Sequence, residues 1–228
     1  MSIYCKSLIL SGLLAIIHLQ AQNTRNLQFT IYSQSPIREL AYHAQPSKNQ
    51  SSKHCKQLTQ LQHHPLEAVG PYAFRGSATI NFYHLHTHAH QAQVDIPSNS
   101  DQWLFIFTDN PHFPNHANTL PYRIYPIDTS LLHWPKNSLI FLNLSGMRLA
   151  GRLNQQYSLL GPGESRAYPI AATTRVQLRS YDAHKIWRTA WLKTITTKPE
   201  RQHLILLFPP VLSGSNALDA RVIIQPML

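Results

Sequence analysis

The feature that most constrains the fold is that the chain repeats itself. The segments "TINFYHLHTHAHQAQVDIPSNSDQWLFIFTDNP" (79–111) and "RVQLRSYDAHKIWRTAWLKTITTKPERQHLILLFPP" (175–210) share one order of features. Each runs strand, turn, strand, polar loop with proline, then a strongly apolar strand that stops at proline. "YRIYP" (122–126) follows the first copy and "ARVIIQP" (220–226) the second, so Tyr83 aligns with Tyr181 and Arg123 with Arg221 at one spacing. Upstream, "LQFTIYSQSPIREL" (27–40) parallels "LIFLNLSGMRLAGRL" (139–153), and "GPYAFRG" parallels "GESRAYPI". A repeat of this length must be one supersecondary unit used twice.

Within each copy the short runs alternate apolar and polar, or are continuously apolar, and turn residues separate them. The pattern predicts an all-β protein of two tandem immunoglobulin-like or β-sandwich domains, 27–128 and 136–228, joined by "TSLLHWPKN". One large sandwich made from both halves is the alternative. The first copy is longer, and its extra residues fall in a polar, low-complexity stretch that reads as an inserted loop at about 43–64. "SPIRELAYHA" is the best helical candidate, and it is short.

Ten acids face twenty Lys plus Arg, a formal net charge of +10. With 16 Pro and only 13% charged residues, the composition suits a β-rich extracytoplasmic protein better than a helical enzyme. "MSIYCK" with Lys6, the apolar run "SLILSGLLAIIHL" and "LQAQ" have the form of a signal peptide over 1–21, cleaved after Ala21. That run is too short to span a bilayer, and "LILLFPPVL" is broken by prolines, so no transmembrane segment is expected in the mature chain. Cys5 would leave with the signal. Cys55 would remain alone, which favours a bacterial periplasmic or secreted protein whose cores need no disulfide. A secreted cation of this kind is expected to adhere to anionic polysaccharide or the envelope surface, and not to nucleic acid.

The sharpest chemical clue is "HLHTHAH". On one straight strand His84, His86, His88 and His90 would share a face about 6.7 Å apart at successive positions, close enough for two rings to hold one zinc, copper or nickel ion. The repeat points elsewhere, because the matching stretch "YDAHKIW" places Asp182 to Lys185 in a hairpin turn. A turn within 84–90 would set His84 and His90 on opposing strands. Solvated histidines in a histidine-rich chain are the simpler reading. His54 and Cys55, being adjacent, are poorly placed for joint ligation.

Catalytic signatures do not emerge. There is no Gly-x-Ser-x-Gly elbow, Walker loop, dinucleotide fingerprint or His-Glu-x-x-His, and ten scattered acids suit no paired-carboxylate mechanism. The expectation is a non-catalytic protein with no resident cofactor.

"FLNLSGMRLAGRLNQQYSLLGPGESRAYPI", with "VQL" and "LILLFPP" after it, resembles a bacterial secreted β-sandwich family of unassigned function. The likeness covers mainly 136–228 and more loosely 71–126. Its motifs are turn and core signatures, so it implies fold and export and brings no site residues. Periplasmic pilus chaperones are also basic and two-domained, but "LPYRIYPIDTSLLHW" lacks their interdomain motif. The expected role is therefore binding or support at an envelope surface. Histidine-dependent metal binding and chaperone-like strand addition are the alternatives.

Overall fold

The computed structural model describes residues 24–45, 58–97, 100–116, 118–131, 133–181, 186–196 and 201–225. The expected signal peptide with Cys5 and Lys6, the pair His54 and Cys55, most of the inserted loop, and the turn at 182–185 lie outside the described residues. Among the described residues there are strands and no helix. The chain divides into two compact units between Ile127 and Asp128.

The first unit contains β1 (Arg25–Ser33), β2 (Leu40–Tyr42), β3 (Thr59–Gln60), β4 (Val69–Gly76), β5 (Thr79–His84), β6 (His90–Asp95), β7 (Gln102–Asp109) and β8 (Tyr122–Asp128). They form two four-stranded sheets, ordered β4-β1-β7-β8 and β3-β2-β5-β6. The second unit contains β9 (Ser138–Asn143), β10 (Leu149–Leu153), β11 (Gln156–Leu160), β12 (Ser165–Pro169), β13 (Thr173–Tyr181), β14 (Trp187–Thr196), β15 (Gln202–Phe208) and β16 (Asp219–Gln225). Its sheets are ordered β12-β9-β15-β16 and β11-β10-β13-β14. Every strand of the second unit takes the place of its counterpart in the first. Even the parallel pairing of β1 with β7 recurs between β9 and β15. The protein is two tandem β-sandwiches built on one repeated pattern.

Side-chain alternation explains the sandwiches. On β13, Thr174, Val176, Leu178 and Ser180 point inward while Arg175, Arg179 and Tyr181 stand outside, the period of two that a half-buried strand requires. The core of the first unit joins Phe29, Ile31 and Phe105 of one sheet to Leu40, Tyr42, Ile80 and Phe82 of the other. Its aromatic rings meet edge-on or stacked, Phe29 lying 4.9 Å from Phe105 and 5.2 Å from Tyr42. The second core joins Leu139, Phe141, Ile205 and Leu207 to Leu149, Leu153, Val176 and Leu178. β7 and β15, continuous apolar runs in sequence, are the central strands buried on both faces.

A shared irregularity fixes the alignment of the copies. The β5–β6 ladder shifts register between Phe82 and Tyr83, and the β13–β14 ladder shifts between Leu178 and Arg179. Bulges are positional features of a fold, so Phe82 corresponds to Leu178 and Tyr83 to Arg179. The alignment of Tyr83 with Tyr181, drawn from residue identity, is two residues off. The first copy is longer mainly between β2 and β3, where the second has the tight connection Asn154–Gln155. Asn154 takes φ 51 there, a left-handed conformation that asparagine tolerates.

The "FLNLSG" and "GPGE" signatures prove to be one structure. Asn143 is fully buried. Its Nδ2 donates to the carbonyls of Met147 (2.8 Å), Leu160 (3.2 Å) and Gly161 (3.0 Å), and its Oδ1 accepts from Ser145 N and Oγ. The Glu164 carboxylate accepts from Gly161 N (2.7 Å), closing the turn. Asn143→Ala strips partners from several buried polar groups, so a loss of about 3 kcal/mol is expected, read as a lowered urea midpoint at unchanged slope.

His203, on β15, pairs with Leu139 where Trp103 pairs with Phe29 in the first unit. It is fully buried, and burial lowers its pKa from 6.5. The folded state therefore keeps the ring neutral, while the unfolded chain takes up a proton once pH drops below 6.5. Stability contributed by the neutral ring is present above that pH and lost as pH falls from 6.5 toward the folded value. The unfolding temperature of the second unit should therefore fall as pH drops through that window, and His203→Leu should flatten the dependence.

Candidate anion-binding site

The outer face of the β11-β10-β13-β14 sheet carries the most distinctive side chains in the molecule. On β10, Leu149, Gly151 and Leu153 turn inward, so Ala150 and Arg152 turn outward. Gly151 allows close packing: a Cβ there would lie 2.5 Å from Leu178 Cδ2 and 2.8 Å from Gln177 O. The ladders then set Ala150 between Leu159 and Arg179, and Arg152 between Tyr157 and Gln177. Because alanine stands between larger neighbours, a depression of about 660 Å³ opens over it.

Three arginines line this depression: Arg152 from β10, Arg179 from β13, and Arg166 from β12 of the other sheet. Two rest on aromatic rings. Arg152 Cζ sits 4.4 Å from the centroid of Tyr157 and Arg166 Cζ 5.6 Å from that of Tyr168, contacts that hold the cations in place without neutralising them. Tyr168 is itself fixed by a buried hydrogen bond to Ser158 Oγ. Trp187 completes the rim, its ring tilted by 33° against Tyr181 with centroids 3.9 Å apart. No described lining residue is acidic. Tyr157 and Leu159 are 74% and 66% exposed, an apolar surface rimmed by charge of the kind that marks ligand-binding faces. The arrangement can take anionic groups on guanidinium forks and flat, partly apolar groups on the rings.

The same place in the first unit is built differently. Ala41, the ladder counterpart of Ala150, pairs with Tyr83 and is completely covered. Tyr83 lies between His43 and His90, each ring centroid 5.5 Å away and the planes tilted by 60° and 31°. Tyrosine stands where the second copy has Arg179.

The "HLHTHAH" run is a hairpin tip, not a straight strand. His84 ends β5, residues 85–87 turn, His88 takes φ 57, and His90 opens β6. Only His84 and His86 converge, and they do so on Glu39: His84 Nε2 lies 3.0 Å from Oε2 and His86 Nε2 3.7 Å from Oε1. Leu85 N also donates to the Glu39 carbonyl (2.7 Å), docking the tip. His88 and His90 are exposed and stand apart from this pair. His84 Nδ1 accepts from the backbone N–H groups of His86 and Thr87. Its proton therefore sits on Nε2 and points at the carboxylate. Ligation through Nε2 needs the opposite tautomer, and ligation through Nδ1 would cost the two backbone N–H contacts that it accepts. Among the described residues no group of three or more His, Cys, Asp or Glu is arranged to hold an ion.

Another cluster invites a catalytic reading. His133 Nδ1 lies 2.9 Å from Asp128 Oδ2 and 3.3 Å from Ser130 Oγ. Both partners meet the same ring nitrogen, whereas a proton relay needs the hydroxyl on one nitrogen and the carboxylate on the other. The cluster is a turn: Ser130 N also donates to Asp128 Oδ1 (3.0 Å).

Among the described residues no helix is long and apolar enough to cross a membrane. No family model matches the chain. No curated protein matches it either.

The arginine site is not legible in the sequence, which shows only an overall positive charge. The available signal was arginine on the outward phase of two alternating runs, "LAGRL" and "VQLRS". For the histidines, zinc titration of the wild type and of His86→Ala/His88→Ala should give equal weak heats. A tight wild-type site lost in the variant would mean that zinc displaces Glu39 from the rings.

Proposed function

We propose that this protein is a non-catalytic, secreted or envelope-associated β-sandwich protein that binds anionic surface polymers, with the second unit as the binding module. The observation that carries the reading is the set of three arginines, Arg152, Arg166 and Arg179, around one depression with no acidic residue in its described lining. The excess of Lys and Arg over acids adds a long-range field that draws polyanions to the surface. The resemblance to bacterial secreted β-sandwich proteins and the signal-like first 21 residues support export. Exposed aromatic and aliphatic side chains on a rigid sheet add contact area to the charge, as binding faces need.

Affinity for polygalacturonate, followed by calorimetry, should fall steeply from low to high salt. Arg152→Ala/Arg179→Ala should weaken it by about tenfold while leaving thermal stability within about 0.5 kcal/mol, since both positions are on the surface. Salt-independent affinity, or full affinity in the variant, would refute the reading. Co-purification with a strand-donating subunit, and binding that ignores these arginines, would favour the chaperone-like alternative.

A further inference from the structure

We infer that the Ala150 depression is a discrete subsite for a short acidic oligosaccharide, one to three pyranose units carrying carboxylates, and not merely a charged patch. The inference rests on the anionic-polymer reading and narrows it. Three properties of the site point the same way.

The first is shape. An adhesive surface that works by field alone needs no concavity, yet alanine at 150 leaves about 660 Å³ open between Arg152, Leu159 and Arg179. That volume falls within the range typical of small-ligand sites, about 300–1,000 Å³.

The second is the order of side chains across the sheet. Neighbouring strands are about 4.8 Å apart, so β11 and β14, the outer two of four, lie roughly 14 Å apart. Tyr157 stands on β11, Arg152 on β10, Arg179 on β13 and Trp187 on β14. The register also steps them along the strands: Arg152 lies opposite Tyr157, Arg179 in the row of Ala150, and Trp187 opposite Tyr181. An occupant running diagonally over the sheet therefore meets ring, cation, cation, ring. A linear acidic glycan has this alternation of partly apolar ring faces and carboxylates. Polyphosphate has the charge and lacks the faces.

The third is preorganisation. Arg152 and Arg166 are propped on tyrosine rings, Tyr168 is tied to Ser158, and Trp187 is backed by Tyr181. Holding side chains in place before binding reduces the ordering cost of complex formation. It is a feature of a specific site and is not required for diffuse adhesion.

The test compares trigalacturonate with linear tripolyphosphate, both by calorimetry at one low salt concentration. The wild type should prefer trigalacturonate by at least about tenfold. Ala150→Trp, which fills the depression from an outward-facing position, should abolish that preference. Tyr157→Ala/Trp187→Ala, which removes the rings and keeps every charge, should abolish it as well and covers the case in which Ala150→Trp fails to fold. Arg175→Ala, on the same sheet face but outside the depression, should lower both affinities by a similar small factor and keep their ratio. Equal affinity for the two probes, with both filling and ring variants without effect, overturns the subsite and leaves the polyanion reading standing. No binding of either probe overturns both. Tighter binding of a single-stranded oligonucleotide than of trigalacturonate also overturns the subsite, since stacking and charge would then serve nucleobases.

Discussion

Everything in this protein depends on closing two sheets over one row of inward side chains, twice, with no cysteine in the described residues to cross-link them. Apolar burial contributes about 25 cal/mol per Å², and only a continuous inner face on both sheets supplies enough of it. The phase of every strand is therefore fixed. A one-residue slip of β13 would bring Arg175, Gln177 and Arg179 inside and put Val176 and Leu178 in water. The same phase that builds the core sets Arg152 and Arg179 outside, whereas Arg166 shares the inward phase of Tyr168 on the edge strand β12. The candidate site is a by-product of core formation that the second copy has specialised.

The two copies show how one scaffold is divided between roles. Their strand orders, their parallel central pair and the bulge of the β5–β6 and β13–β14 ladders coincide, while the register shift of the β1–β4 ladder has no match in β9–β12. At the outward positions beside the bulge they diverge, with Tyr83 between two histidine rings in one and Arg179 beside an open depression in the other. Inside, tyrosine at 42 fills the first core, while glycine at 151 draws β10 against Leu178 in the second. Core positions tolerate such exchanges when volume is made up elsewhere. Outer positions carry no packing constraint, so they can diverge in chemistry.

Two polar side chains of the second unit serve the backbone, Asn143 from a fully buried position and Glu164 from the surface. Asn143 and Glu164 satisfy loop amides and carbonyls that no ladder reaches, as buried backbone must be satisfied. Glu39 does the corresponding work at the histidine hairpin, accepting from Leu85 N through its own carbonyl while its carboxylate faces His84 and His86. His84 is thereby held with its Nδ1 on the backbone of the turn and its Nε2 on the Glu39 carboxylate.

Sequence alone determined the all-β architecture: the phase of the longer strands, the duplication and the polar insertion are legible in local pattern, which follows from a side-chain period of two, whereas β2 lies within the segment that reads best as a helix. It also placed the turn within the histidine run, through the second copy. Identity matching misplaced Tyr83 by two residues because a bulge consumes a residue without leaving a mark in composition. The site was decided by tertiary structure. Arg152, Arg166 and Arg179 come from three strands in two sheets, and nothing in their spacing along the chain reveals that they face one depression. Convergence of that kind is set by ladder register and sheet packing, which join residues distant in sequence only after the cores have closed.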